Sequence, residues 1–249
     1  MTNPISTEVA RAFLSVRQGA KSLSREWAAD KALTPSQAYE VQSLVAAELG
    51  PVGGFKFAQR SGQPAIMAPI QRADILVSGA KFPASGSPVG IELEVGFRLN
   101  AALPSIDAPD FKELLRACVS PVAVIETVQT RLADLDTVPA VLKLADHQTN
   151  GGLIVGDPAK VWDGSPFGTV DAYLTFDDEV VLDGRTNLPF GPAFDCLVAL
   201  ARMVGDHCGG LNAGHIVITG SLNGLPWLPP GTRVRGSIEG IGSVAVDLE

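Results

Sequence analysis

Cysteine is scarce: Cys118, Cys196 and Cys208 are the three in 249 residues, and no CxxC spacing occurs. That argues against a disulfide framework and against a zinc ribbon, and favours a reducing compartment. No run of about 18 apolar residues is present, and the first residues, which carry Glu8 and Arg11, lack the basic-then-apolar plan of a signal peptide. The expectation is a soluble, cytoplasmic chain. Positive charge is also short, with 19 Lys and Arg against 27 Asp and Glu and a formal net charge of −8. Such a chain repels phosphate backbones and anionic lipid, so neither a nucleic acid nor a membrane is an expected partner. Phosphate-loop spacings, a GxSxG elbow, internal repeats and low-complexity tracts are all missing.

What is present suits one large domain or two small ones. Apolar residues make up 46% and charged residues 18%, while 26 Gly and 18 Pro point to many turns and away from a coiled coil. Val9, Phe13, Val16 and Ala20 recur at helical spacing, and a second helix opens on Thr34-Pro35-Ser36-Gln37, a capping box with proline at the first position. Ala38, Val41, Leu44 and Val45 form its apolar stripe, and Gly50-Pro51 ends it. Beyond lie short apolar runs: strands over 91–99, 121–128 and 216–221, a hairpin over 172–181 turning near Asp177-Asp178, and closing strands within 233–248. Helices are expected over 110–118 and 193–206. The predicted class is α+β, with a helical N-terminal region (1–50) packed on a β-rich body (51–249) as one functional unit.

Strand alternation places Glu92 and Glu94 on one face, with Cα atoms roughly 6.6–6.8 Å apart, while Ile91, Leu93, Val95, Phe97 and Leu99 form the other. Two carboxylates so spaced can converge on one cation, and Gly96 would leave room beside them; a half-solvated, charged outer face is the plainer alternative. Glu126 interrupts the apolar run Val122-Ala123-Val124-Ile125, where a lone carboxylate needs a partner. Either Arg131 neutralises it or it joins Glu92 and Glu94 around a hard divalent cation such as Mg²⁺ or Mn²⁺. Lys56, in Gly53-Gly54-Phe55-Lys56-Phe57, sits in surroundings that would lower its pKa towards neutrality, unless it is a strand-edge lysine facing water. The stretch Leu144 to Gly152 packs polar groups beside a glycine pair, in the manner of a site-lining loop, unless Asp146 or His147 braces a turn.

Taken in order, Gly54-Phe55-Lys56-Phe57-Ala58, Ile91 to Phe97, Val124-Ile125-Glu126-Thr127 with Arg131, Asp146 ahead of Gly151 to Gly156, and Ile218 to Leu222 form a recognisable series. It resembles the 2-keto-4-pentenoate hydratase and 4-oxalocrotonate decarboxylase group of the fumarylacetoacetate hydrolase superfamily, over about residues 10–249. The resemblance implies a helical region on a mixed β-roll or sandwich. It also implies a Mg²⁺ or Mn²⁺ ion held by Glu92, Glu94 and Glu126, Lys56 as proton shuttle, and Asp146 in an orienting or secondary acid–base role. Arg60, Ser61, Gly152 and Ser221 become candidate substrate contacts. The implied reaction is hydration of a 2-hydroxy-2,4-dienoate to a 4-hydroxy-2-oxo acid, as in meta-cleavage of aromatic rings.

Departures from the pattern concern the substrate. Ala58-Gln59-Arg60-Ser61 replaces the usual small hydroxyl residues after the lysine, Gly62 to Leu76 is short for a covering loop, and Gly191-Pro192 stands where His-Pro is usual. Arg60 would bind a second carboxylate or point outward. Decarboxylation of a 2-oxo-3-enedioate, hydrolysis of an acylpyruvate and a non-catalytic partner subunit remain alternatives. A homo-oligomer is expected, and association with a pathway homologue is compatible with the resemblance.

Overall fold

The computed structural model describes residues 3–84 and 86–249. Helix α1 (Pro4–Arg17) starts where Asn3 accepts a hydrogen bond from the Ile5 amide, and buries Val9 and Phe13. A short α2 (Arg25–Ala29) follows, capped by Ser24. In α3 (Pro35–Leu49) the capping box is complete: the Gln37 amide donates to Thr34 Oγ1 and the Thr34 amide to the Gln37 side chain. Ala20, expected on the first apolar stripe, lies past the end of α1 and is exposed.

The β body comprises β1 (Val52–Ala58), β2 (Ile66–Gln71), β3 (Ile75–Val77), β4 (Ala80–Phe82) and β5 (Val89–Leu99). Next come α4 (Phe111–Ala117), β6 (Val119–Val128), α5 (Ala140–Ala145), β7 (Asn150–Pro158), β8 (Thr169–Phe176) and β9 (Glu179–Asn187). The chain closes with α6 (Ala193–Met203), β10 (Ile216–Ser221), β11 (Trp227–Leu228), β12 (Arg233–Ile238) and β13 (Gly242–Leu248). Residues 62–76, read as a short covering loop, instead contribute β2 and β3.

One sheet runs β2-β1-β10-β5-β6-β7-β3, with β11 pairing β5; the other runs β4-β13-β12-β8-β9. The two ends of the first order, β2 and β3, are joined by the single turn Arg72–Asp74, so this sheet curls. Its convex face meets the second sheet and α6 across the main core, where Leu93, Val95 and Phe97 pack with Leu174, Val234, Val244 and Phe194. The concave face holds a smaller cluster of Ile70, Val122, Val124, Leu153, Val155, Ile216 and Ile218. Close strand approach leaves no space for a side chain at Gly54, where a Cβ would lie 2.1 Å from the Ile216 carbonyl oxygen.

The helical layer is not confined to the first fifty residues. Leu132, Val138, Leu142 and Leu144 complete its core with Val9, Phe13, Val41 and Val45. Fully buried Gln42 ties layer to sheet, its Nε2 donating to the Leu144 carbonyl at 2.7 Å and the Met67 carbonyl at 3.1 Å. A buried side-chain amide with two acceptors fixes the docking of α3 on β2 and α5.

Candidate active site

Antiparallel pairing sets Glu92 opposite Glu126 and Glu94 opposite Val124. The apolar alternates of β5 fill the main core, which turns Glu92 and Glu94 onto the concave face beside Val122, Val124 and Ile218. This face is not the solvated one that alternation alone allows, since Glu94 is 2% exposed and Glu126 0%. Nor does Gly96 open a space there: a Cβ at that position would sit 3.1 Å from Val124 Cγ1 and 3.3 Å from Val122 Cγ1. Its missing side chain lets strands pack closely and makes no room for a ligand.

One carboxylate oxygen from each of Glu92, Glu94 and Glu126 lies within 4.8 Å of the others. Lys56 Nζ donates to Glu126 Oε1 at 2.6 Å and to the Gln148 carbonyl at 3.2 Å. Asn150 Nδ2 reaches the same Oε1 at 2.7 Å, while Glu126 Oε2 is buried without a partner among the described residues. Between Ile218 and Ser221 the β10–β5 register slips, and the bulge aims the Gly220 amide at Glu94 Oε2, 2.6 Å away.

Were all three carboxylates ionised against the one ammonium, the net charge would be −2. Burial, then Glu126, pushes the Glu92 carboxyl up to about 7. Glu94 is raised well above the carboxylate range by burial and by both glutamates. An all-oxygen donor set, a charge deficit of two and an unpartnered buried oxygen fit a hard divalent cation better than zinc, which favours nitrogen and sulfur. Burial alone would depress Lys56, as its apolar sequence context suggests, but the fields of Glu126, Glu92 and Glu94 outweigh it and raise its pKa. Lys56 therefore rests as an ammonium, not as the near-neutral amine expected from sequence.

Asp146 does not face this cluster. Arg131 occupies its carboxylate, Nε donating to Oδ1 at 2.5 Å and the backbone amide to Oδ2 at 3.1 Å. The remaining guanidinium nitrogens donate to the Asp146 and Asn150 carbonyls, both at 3.0 Å. Arg131 is thus committed to Asp146 and not to Glu126, whose cationic neighbour is Lys56. The clamp brackets three consecutive non-glycine residues in left-handed backbone, His147, Gln148 and Thr149, with φ of 51°, 51° and 60°. Such residues cost roughly 1–3 kcal/mol each and persist where the surroundings over-determine them. Here the strained strap delivers the Gln148 carbonyl to Lys56 and the Asn150 amide to Glu126.

Of the other candidates, Arg60 and Ser61 lie exposed in the turn after β1. Ser221 is half-buried across from Glu94, its hydroxyl donating to the Gly224 carbonyl at 2.7 Å. Buried Gly152 accepts from Asn150 Nδ2 at 3.4 Å. Gln148 and Asn150 went unassigned in the sequence; the polar run ahead of Gly151-Gly152 was their only signal.

A pH dependence follows. Glu92, at about 7 against an ordinary 4.5, binds a proton in the folded chain that the unfolded chain has already lost. The metal-free fold is therefore penalised as pH rises from about 4.5 through about 7. Cation binding must displace that proton, so affinity rises with pH over the same window. Expected is a Mn²⁺-induced increase in Tm that is small at pH 5.5 and grows to pH 8; an increment independent of pH would contradict the assignment.

No family model matches the chain. Over 159 residues it is 28% identical to the 2-keto-4-pentenoate hydratase of Paraburkholderia xenovorans LB400, a match covering 64% of this chain and 58% of that protein. The chain thus matches less than two thirds of this curated relative's length. Among solved structures, 4-oxalocrotonate decarboxylase from Pseudomonas putida G7, complexed with calcium and acetate, aligns over 98% of this chain and 96% of its own at a TM-score of 0.75 and 18% identity. Maleylpyruvate hydrolase from Sphingobium sp. SYK-6, complexed with manganese(II) and pyruvate, aligns over 78% of this chain and 69% of its own at 0.53 and 18% identity. The chain is similar in sequence to chains named 2-keto-4-pentenoate hydratase and 4-oxalocrotonate decarboxylase, and its fold is the fumarylacetoacetate hydrolase type of the solved structures.

Proposed function

We propose that this chain is a divalent-cation-dependent lyase that hydrates a 2-hydroxy-2,4-dienoate to a 4-hydroxy-2-oxo acid. The observation that carries the reading is the convergence of Glu92, Glu94 and Glu126 beside Lys56, with one oxygen of Glu126 unpartnered among the described residues. Its support in sequence is the relation to chains named 2-keto-4-pentenoate hydratase. Glu92, Glu94 and Glu126 would hold Mg²⁺ or Mn²⁺, which when bound supplies Lewis acidity for the 2-oxo or 2-enol oxygen and carboxylate of such a substrate.

Two proton movements then fall to the chain. In tautomerisation the 2-hydroxyl loses a proton and C5 gains one; in hydration, water gives hydroxyl to C4 and a proton to C3. Lys56 is the group placed to carry them. It rests as an ammonium, ready to donate, and with the carboxylates' charge neutralised its burial draws it back towards the amine that accepts. Gln148 and Asn150 hold Lys56 and Glu126 in register, and Arg131 with Asp146 holds the strap that carries them. Asp146 is thereby a positioning residue.

Decarboxylation of a 2-oxo-3-enedioate is the second reading, favoured by the 98% coverage of the decarboxylase fold. Ultraviolet absorbance of freshly generated 2-hydroxy-2,4-pentadienoate and of 2-oxo-3-hexenedioate, with Mg²⁺ or Mn²⁺ and with EDTA, separates them. Cation-dependent loss of the dienoate with one water added is the expected result. Release of CO₂ from the diacid alone would replace hydration by decarboxylation, and consumption of neither would end both.

A further inference from the structure

A cleft of about 680 Å³ opens where the end of α1 meets the exit of β6, and none of Glu92, Glu94, Glu126 or Lys56 lines it. Arg17, Gln71, Asp74, Arg131 and Trp227 do. Gln71 is 2% exposed, yet neither Nε2 nor Oε1 has a hydrogen-bond partner among the described residues. Arg17 Nε is likewise buried and unpartnered. A buried primary amide with both ends unmade is costly, by roughly 1–3 kcal/mol per group, and such groups in a cleft wall are normally answered by something that enters it.

The charges define what enters. Arg131 is spent on Asp146 and on the carbonyls of the strap, so its guanidinium has no further carboxylate to find. Among the described residues Arg17 has no such ion pair, and its Nε has no hydrogen-bond partner. Burial and the neighbouring Arg131 cation pull its pKa down to about 10, against the opposing fields of Asp146 and Asp74. Asp74, on the same wall, is raised by burial, with Arg17 and Arg131 pulling the other way.

We propose that this cleft is a binding site for a small organic carboxylate, separate from the glutamate cluster, with Arg17 and Gln71 Nε2 as the donors to the carboxylate oxygens. A planar guanidinium suits a carboxylate, and Gln71 Oε1 remains to accept from a hydroxyl or amide hydrogen elsewhere on the ligand. The proposal does not rest on the hydratase reading, because binding here needs neither the divalent cation nor turnover.

The test is calorimetric titration of the full chain with succinate in the presence of EDTA, with Trp227 fluorescence as a second readout and 1,4-butanediol as the uncharged control. Expected is saturable binding with a dissociation constant of about 1 mM or tighter, accompanied by a fluorescence change that Trp227→Phe abolishes. Arg17→Met and Gln71→Leu should each weaken it at least about tenfold. Gln71→Leu removes an unpartnered amide and is expected to fold at least as well as the parent, so the test survives a misfolded Arg17 variant. Absence of saturable binding, equal binding by the diol, binding that appears only when Mg²⁺ is added, or binding indifferent to Gln71→Leu would overturn the proposal.

Discussion

Lys56→Met should lower the rate of dienoate hydration by roughly 10²–10⁴-fold, the usual contribution of a positioned acid–base group, while Mn²⁺ still binds. The two effects separate because Lys56 and a cation compete for the same negative charge. Removing the ammonium leaves Glu126 Oε1 with the Asn150 amide and makes the cluster more anionic, so cation affinity should hold or increase. If Lys56 did no more than neutralise Glu126, the cation would take over that task and saturating Mn²⁺ would restore the rate. Steady-state absorbance assays run beside Mn²⁺ titration decide between these outcomes.

The second large effect concerns stability. Arg131→Met strands Asp146, whose side chain is 1% exposed, and removes the donors that hold the Asp146 and Asn150 carbonyls. Breaking one side of such a buried pair costs about 3–5 kcal/mol. The double change Arg131→Met with Asp146→Leu should recover much of that cost, because no buried charge is left alone. It should not recover activity, since nothing then forces His147, Gln148 and Thr149 into left-handed backbone or places Asn150 against Glu126. Urea denaturation of the parent chain and the two variants supplies the numbers, and a loss below about 1 kcal/mol in Arg131→Met would contradict the clamp.

Much of this architecture is legible in local sequence patterns. The period-two pattern of 91–99 fixed which face of β5 carries Glu92 and Glu94, and the interrupted apolar run around Glu126 marked a carboxylate in need of company. Thr34 and Gln37 announced a capping box that forms as written. These are local signals, carried by residues within a few positions of one another.

What stayed hidden depends on contacts between distant parts of the chain. Lys56 and Glu126 are seventy positions apart, and only their juxtaposition turns an apolar setting that should depress a lysine into one that raises it. The sequence offers Arg131 as a partner for nearby Glu126, and nothing local shows that Asp146 claims it instead. The strap is invisible for another reason: no glycine marks residues 147–149, and their backbone is imposed by the Arg131 clamp. Gly96 misled in the opposite sense, because an absent side chain looks the same in sequence whether it admits a ligand or a neighbouring strand.

Mn²⁺ titration followed by electron paramagnetic resonance, comparing the parent chain with Glu94→Gln at pH 8, bears most directly on the convergence of three glutamates upon one cation. Expected is a single site per chain in the parent, emptied by EDTA, and a loss of affinity of at least about tenfold in Glu94→Gln. Full-affinity binding in that variant, or no stoichiometric binding in the parent, would show that Glu92, Glu94 and Glu126 are a charged interior feature and not a metal centre.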